Sequence, residues 1–231
     1  MKNNFAQNII EFIKQLNLSI VPGNGIEVMN PFLNKETMNS CKNFYNKYYS
    51  DTNKRWMIFG INPGRFGGGI TGIPFTDPIR LENECGIINS WPKKQELSSL
   101  FMYEMINRFG GPENFYKNFY ISAVSPLGFT KSNKNLNYYD DRDLQAGIRG
   151  FIVECMNKQL QFDINRDVAF CLGEGKNYQY FTGLNKKMGY FDKIIPLSHP
   201  RFIMQYKLKR KSEYMDQYLQ QLNVTTNYEP V

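Results

Sequence analysis

A single histidine, few cysteines and no long apolar run set the first limits on this 231-residue chain. Cys41, Cys85, Cys155 and Cys171 are scattered and form no CxxC pair, so with one histidine they offer no zinc-ligand spacing. The same scatter argues against an iron–sulfur cluster. Reduced, buried thiols in a cytoplasmic protein are the expectation, with no metal and no cofactor. No segment approaches the run of about 20 apolar residues that a membrane span needs. The N-terminus MKNNFAQNIIEFIKQ mixes polar and apolar residues where a secretory signal would be continuously apolar. No membrane association is expected. Repeats, linkers and low-complexity tracts are absent as well, so residues 1–231 read as one domain, expected to be a monomer. Residues 1–50 form its helical N-terminal part, and 223–231 a frayed tail. Acidic residues are in the minority, 21 against 28 basic ones, and the net charge of +7 favours a polyanionic partner.

What the chain does have is apolar and aromatic residues. They make up 42% and 15% of it, enough for a large core with rings to spare for other work. Phe5, Ile9, Phe12, Ile13 and Leu16 recur at helical spacing, predicting a helix over 4–17, and a second is expected over 35–49. Short apolar runs predict strands at 56–61, 119–124, 167–172 and 193–197. Helices are expected between and after them at 96–109, 141–161, 174–187 and 205–222. Residues 62–95, rich in Gly, Pro and Asn, read as a long loop, and long loops inside compact domains are usually functional. Four strands alternating with helices predict an α/β fold: a three-layer α/β/α sandwich around a central, mostly parallel four-stranded sheet.

Ligands of such sheets bind at the carboxyl ends of the strands. Three segments qualify: Gly60 to Phe75, Ser125-Pro126-Leu127, and Ser198-His199-Pro200-Arg201. The first fits neither GxxxxGK[ST] nor GxGxxG between a strand and a helix, so it is not a nucleotide-binding loop of those kinds. Its glycines let backbone approach a flat ligand closely. Asn62, at a strand tip, can hold a water, and Phe75 can stack on a ring or fill the core. His199 leaves a strand end, which suits a catalytic or a structural role. Six cations and no acid lie between Lys193 and Ser212: Lys193, Arg201, Lys207, Lys209, Arg210 and Lys211. This is either a solvated helix face or a seat for phosphates.

Gly60-x-Asn62-Pro63-Gly64-x-Phe66-Gly67 followed by Thr71-Gly72-x-Pro74-Phe75 resembles the first motif of the single-strand-selective monofunctional uracil-DNA glycosylases, including the distance from Asn62 to Phe75. Ser198-His199-Pro200 with Arg201 is similar to the second motif. Ser125-Pro126-Leu127, with Asn135-Leu136 downstream, resembles the central strand end. The resemblance implies an enzyme that flips a damaged base out of DNA and hydrolyses its bond to the sugar. It implies that Asn62 positions the hydrolytic water and that Phe75 stacks on the base. Backbone groups near Ile61 and Gly64 would bind that base, with Phe66 and Ala123 beside it. His199 would stabilise charge on the base O2. The loop after His199 would wedge into the duplex through Phe202, with Ile203 and Met204 behind it. Arg65, Arg201, Lys207, Lys209 and Arg210 would meet DNA phosphates.

Two positions depart from the pattern. Ala123 stands where the family carries an Asn that reads the uracil amide edge, and HPRFIMQYK replaces a proline-rich loop. Both point to a divergent bacterial branch, acting in the cytoplasm on the nucleoid. An enzyme for another lesion, xanthine or 5-hydroxymethyluracil, is one alternative. A non-catalytic single-strand-binding module is a second, and a nucleotide- or cofactor-binding α/β protein a third. No Lys occupies the motif positions, which excludes a Schiff base with the sugar and predicts an abasic product with the strand uncut.

Overall fold

A computed structural model of the chain describes residues 3–18, 23 and 25–226. The first helix, α1 (Phe5–Lys14), starts where Asn4 and Gln7 cap one another's backbone, and it buries Phe5, Ile9, Phe12 and Ile13 on one face. Asn34 caps α2 (Lys35–Tyr48) in the same way, accepting from the N–H groups of Glu36 and Thr37. Strand β2 (Arg55–Gly60) is buried along nearly its whole length, as a central parallel strand with both faces covered must be. The other apolar runs supply β3 (Phe119–Ala123), β6 (Ile164–Leu172) and β7 (Lys193–Leu197).

These four strands form one sheet in the order β3-β2-β6-β7, and every neighbouring pair is parallel. Helices flank the sheet, giving the expected three-layer α/β fold. Chain order runs outward from β2 to β3, then crosses to β6 and β7 on the other side. The strand order therefore reverses at β2/β6, and the crevice that such a reversal opens lies at the carboxyl ends of these strands.

Several expectations need correction. The stretch 62–95 is not wholly loop, since it contains α3 (Gly68–Thr71) and α4 (Pro78–Asn83) ahead of α5 (Leu97–Arg108). A short helix, α6 (Gly111–Asn118), precedes β3 and begins with Pro in its first turn. The helix expected over 141–161 is two, α7 (Arg142–Gly147) and α8 (Arg149–Gln159), joined at Ile148. The helix α9 (Lys176–Met188) falls as predicted. A second, antiparallel sheet of β1 (Ile26–Met29), β4 (Gly128–Lys131) and β5 (Lys134–Leu136) went unforeseen because its strands are short and partly polar. The N-terminal part is thus not purely helical.

The segment after His199 is not a loop but a helix, α10 (Pro200–Tyr206), with His199 as its N-cap and Pro200 in its first turn. The last helix, α11 (Lys211–Thr226), starts six residues later than expected and runs through 223–226, where a frayed tail was expected; the rest of that tail, 227–231, lies outside the described residues. Among the described residues no helix is long and apolar enough to cross a membrane.

Candidate active site

The tips of β2, β3 and β7 open onto one cavity of about 540 Å³. Its wall includes Gly60, Ile61, Asn62, Gly64 and Phe75 from the first motif, Ser122 and Ala123 from β3, and His199 and Arg201 from the second motif. Beyond its end β2 remains tied to β3, because the Val124 N–H donates to Gly60 O (3.0 Å) and the Ser125 N–H to Ile61 O (3.0 Å).

The Asn62 amide is held on both sides. Nδ2 donates to Leu136 O and Pro63 O (both 3.3 Å), while Oδ1 accepts from the Tyr138 N–H (3.0 Å). These partners fix which end of the amide is oxygen. Oδ1 keeps a second lone pair with which to hold a water. Tyr138 is braced in turn, its hydroxyl donating to Asn177 Oδ1 (2.9 Å) on α9. Asn135, singled out in the sequence, accepts the Arg65 N–H (3.1 Å) and so supports the motif loop.

Phe75 has a left-handed backbone (φ 54°), a strained state for a bulky residue and one that often marks a functional position. Its ring lies on Gly60, where a Cβ would stand 3.0 Å from the ring edge and 3.5 Å from Ser122 O. Glycine at the strand tip is what lets the ring sit there. The ring centroid is 5.8 Å from that of His199.

His199 caps α10 by accepting the Arg201 N–H at Nδ1 (3.1 Å). A ring nitrogen that accepts carries no proton, so the neutral tautomer has its hydrogen on Nε2. Burial, and secondarily the Arg201 guanidinium, push the imidazole down to about 4. The ring is therefore a neutral hydrogen-bond donor at physiological pH. Its loop is anchored by Ser198, whose hydroxyl donates to Glu174 (2.7 Å) and whose carbonyl accepts from Tyr218.

The remaining predicted residues divide. Gly64, Ile61, Ala123, Arg201 and Phe202 line the cavity. Phe66 does not, contrary to its expected place beside the base: the Arg65 guanidinium (4.5 Å) and the Lys94 ammonium (3.8 Å) lie over its ring, away from the cavity wall. Ile203 and Met204 are also corrected as DNA contacts, because helical spacing turns both into the core and leaves Phe202 exposed. Lys207 is half-buried, and Lys209 and Arg210 are exposed on a 3₁₀ turn. Arg210 is partly neutralised by Glu213 (2.8 Å).

Among the cavity residues that the sequence did not single out, two bear on the chemistry. Tyr206, exposed and tilted against Phe202 one helical turn earlier (5.7 Å between centroids), was findable from that spacing had the segment been read as helix. Glu96, just ahead of α5, is the only acidic residue on the cavity wall among the described residues. Its carboxyl sits over the first motif so closely that a Cβ on Gly67 would overlap one oxygen and a Cβ on Gly64 would stand 3.3 Å from the other. Burial, then the neighbouring Asp77, push Glu96 up to about 7 against the opposing pull of Arg201. No spacing rule announces such a residue.

Among the described residues no cluster of three His, Cys, Asp or Glu side chains is arranged to hold a metal. All four cysteines are buried free thiols. Burial pushes Cys85 up to about 11 and Cys155 and Cys171 up to about 12, so none is a ready nucleophile.

The sequence matches the uracil DNA glycosylase superfamily over residues 47–223. No curated protein matches the chain. Among solved structures, the crystal structure of wild-type SMUG2 from Pedobacter heparinus is similar throughout. The two share 47% sequence identity with a TM-score of 0.94, over 97% of this chain and 99% of that one.

Proposed function

The chain belongs to the uracil DNA glycosylase superfamily and is a DNA glycosylase of base excision repair, a hydrolase of N-glycosyl bonds, and from that premise we propose how its cavity works. One extruded base enters the slot between Phe75 and His199. Phe75 stacks on the ring, and backbone groups at Ile61 and Gly64 hydrogen-bond its edge. As the glycosidic bond breaks, the base leaves as an anion and the sugar becomes an oxocarbenium ion. The His199 Nε2–H donates to the anionic O2, a task for which a neutral imidazole suffices. Water held on Asn62 Oδ1 then captures the cation. Arg65, Arg201, Lys207 and Lys209 meet backbone phosphates, and exposed Phe202, backed by Tyr206, fills the gap that the base leaves.

The observation that carries this reading is that Asn62 and His199, far apart in sequence, line one cavity with each polar group already oriented by a backbone partner. Among the described residues no lysine lines the cavity, which fits hydrolysis without a Schiff base. The cavity wall is complete within one chain, in keeping with a monomer, and the four free thiols fit a reducing cytoplasm.

Ala123 supports a second reading for the lesion. It lies on a wall enclosing about 540 Å³, so bases bulkier than uracil, such as xanthine or 5-hydroxymethyluracil, have room. An oligonucleotide panel, one lesion in each, separates the two readings by relative excision rate.

The mechanism is tested with a uracil-containing oligonucleotide, alkali and a sizing gel. Asn62→Ala and His199→Ala are each expected to slow excision by roughly 10²–10³ while retaining most DNA affinity. Strand cleavage before alkali, or turnover preserved in both variants, would overturn the reading.

A further inference from the structure

Hydrolysis releases a proton that the residues discussed so far do not take. Water adding to the sugar cation must shed one proton, and Asn62, an amide, has no basic site at neutral pH. His199 stays neutral down to about 4 and already uses Nδ1 to cap α10, while Tyr139, on the same wall, is pushed up to about 12 by burial and Asp140. Among the described residues the wall holds one carboxyl group, and it lies over Gly64, two residues beyond Asn62.

We propose that Glu96 is the proton acceptor of the capture step, reached from the Asn62-held water through one further water. The water oxygen bonds to the sugar C1′, one of its hydrogens stays on the new hydroxyl, and the other passes along the water to the Glu96 carboxylate. Glu96 later returns it to solvent or to the departed base anion. Atoms and charge balance with no added reagent. This rests on the assignment of Asn62 made above.

Three observations support the role. The charged groups facing this carboxyl are Asp77, from the cap of α4, and Arg201, from the first turn of α10. The first resists ionisation and the second favours it. Their balance, with burial, sets the group near neutrality, where a carboxylate is a competent base and its acid still releases the proton. The backbone that carries the group is anchored: the Glu96 N–H donates to the Asp77 carboxylate (2.8 Å) just ahead of α5. Glycine at 67 leaves the carboxyl the space it occupies.

The effect reaches the observed rate because the cation and the base anion are trapped together. In a closed slot they recombine unless water captures the cation, and Glu96 sets that partition. Single-turnover excision of uracil is therefore expected to rise with pH and level off near 7. Glu96→Gln is expected to be slower by about 10²-fold at pH 8 and flat across the range, with unchanged or tighter binding of DNA carrying an abasic analogue. Glu96→Asp is expected to recover part of the rate together with the acid limb. A wild-type profile that is flat from pH 5.5 to 8.5 would overturn the proposal without any variant. So would an acid limb that persists in Glu96→Gln, or a Glu96→Gln enzyme as fast as wild type at pH 8. The last result would make the carboxylate a mere repellent of phosphate. In each of these cases the assignments of Asn62 and His199 still stand, since their own variants test them separately.

Discussion

The two ends of β2 treat polar side chains in opposite ways. At its start Arg55 is fully buried, yet every part of its guanidinium has a partner. Nε donates to Tyr116 O (2.8 Å), the terminal nitrogens donate to both oxygens of Asp51 (2.7 and 3.0 Å) and to the carbonyls of Asn53 and Tyr48, and the plane lies on the rings of Phe5 and Tyr49. Past its other end, Asn62, His199 and Glu96 each keep a lone pair, an N–H or a carboxyl turned to a cavity. A buried charge with complete bonding is structural, whereas polar groups with bonding capacity to spare are what a substrate can use. The strand therefore separates stability from chemistry along its own length.

The largest effect expected from breaking this contrast lies at the closed end. Arg55→Ala strands the Asp51 carboxylate and three backbone carbonyls, those of Tyr48, Asn53 and Tyr116, and should cost about 3 kcal/mol or more, read as a lower midpoint in urea. Excision by the fraction that stays folded should be little changed, since Arg55 is remote from the cavity. At the open end the balance inverts. Gly60→Ala brings a methyl group within 3.0 Å of the Phe75 ring, which must shift by a few tenths of an ångström into the slot. Stability should barely move, while kcat/KM for uracil should fall about tenfold, less than the roughly 10²-fold that a 1 Å misplacement can cost.

A further effect, of opposite sign, is a stability gain at the functional site. The folded chain holds the Glu96 proton up to about 7, while an unfolded chain releases it near 4.5. Between those values the folded state binds more protons, so stability falls as pH rises through that window and the full penalty is present above it. Glu96→Gln removes the penalty. Its melting temperature should match wild type near pH 4.5 and exceed it by several degrees at pH 8, even as its activity is lower. Equal melting temperatures at both pH values would mean that Glu96 ionises freely.

Much of the fold was legible because burial on both faces forces a continuous apolar run, as in Trp56–Phe59 and Phe119–Ile121, and the half-buried edge strand keeps a shorter one at Ile194–Leu197. Such runs hardly depend on context. The antiparallel sheet was illegible for the opposite reason: Lys134, Asn135 and Thr130 are partly or fully exposed and obey no apolar alternation. His199 concealed a helix start because histidine is an uncommon cap, although Pro200 behind it was a fair signal. Reading α10 as loop is what put Ile203 and Met204 among the DNA contacts, since an extended chain would expose residues that helical spacing buries.

By itself the sequence determined the parallel sheet, the three strand tips and the identities of Asn62, Phe75 and His199, because apolar runs and contiguous motifs are local properties of a chain. Tertiary structure alone decided the protonation of His199, the place of Phe66 off the cavity wall beside two cations, and the presence of Glu96 on that wall. Each of these depends on desolvation and on neighbours brought together from distant segments, and no local pattern encodes either.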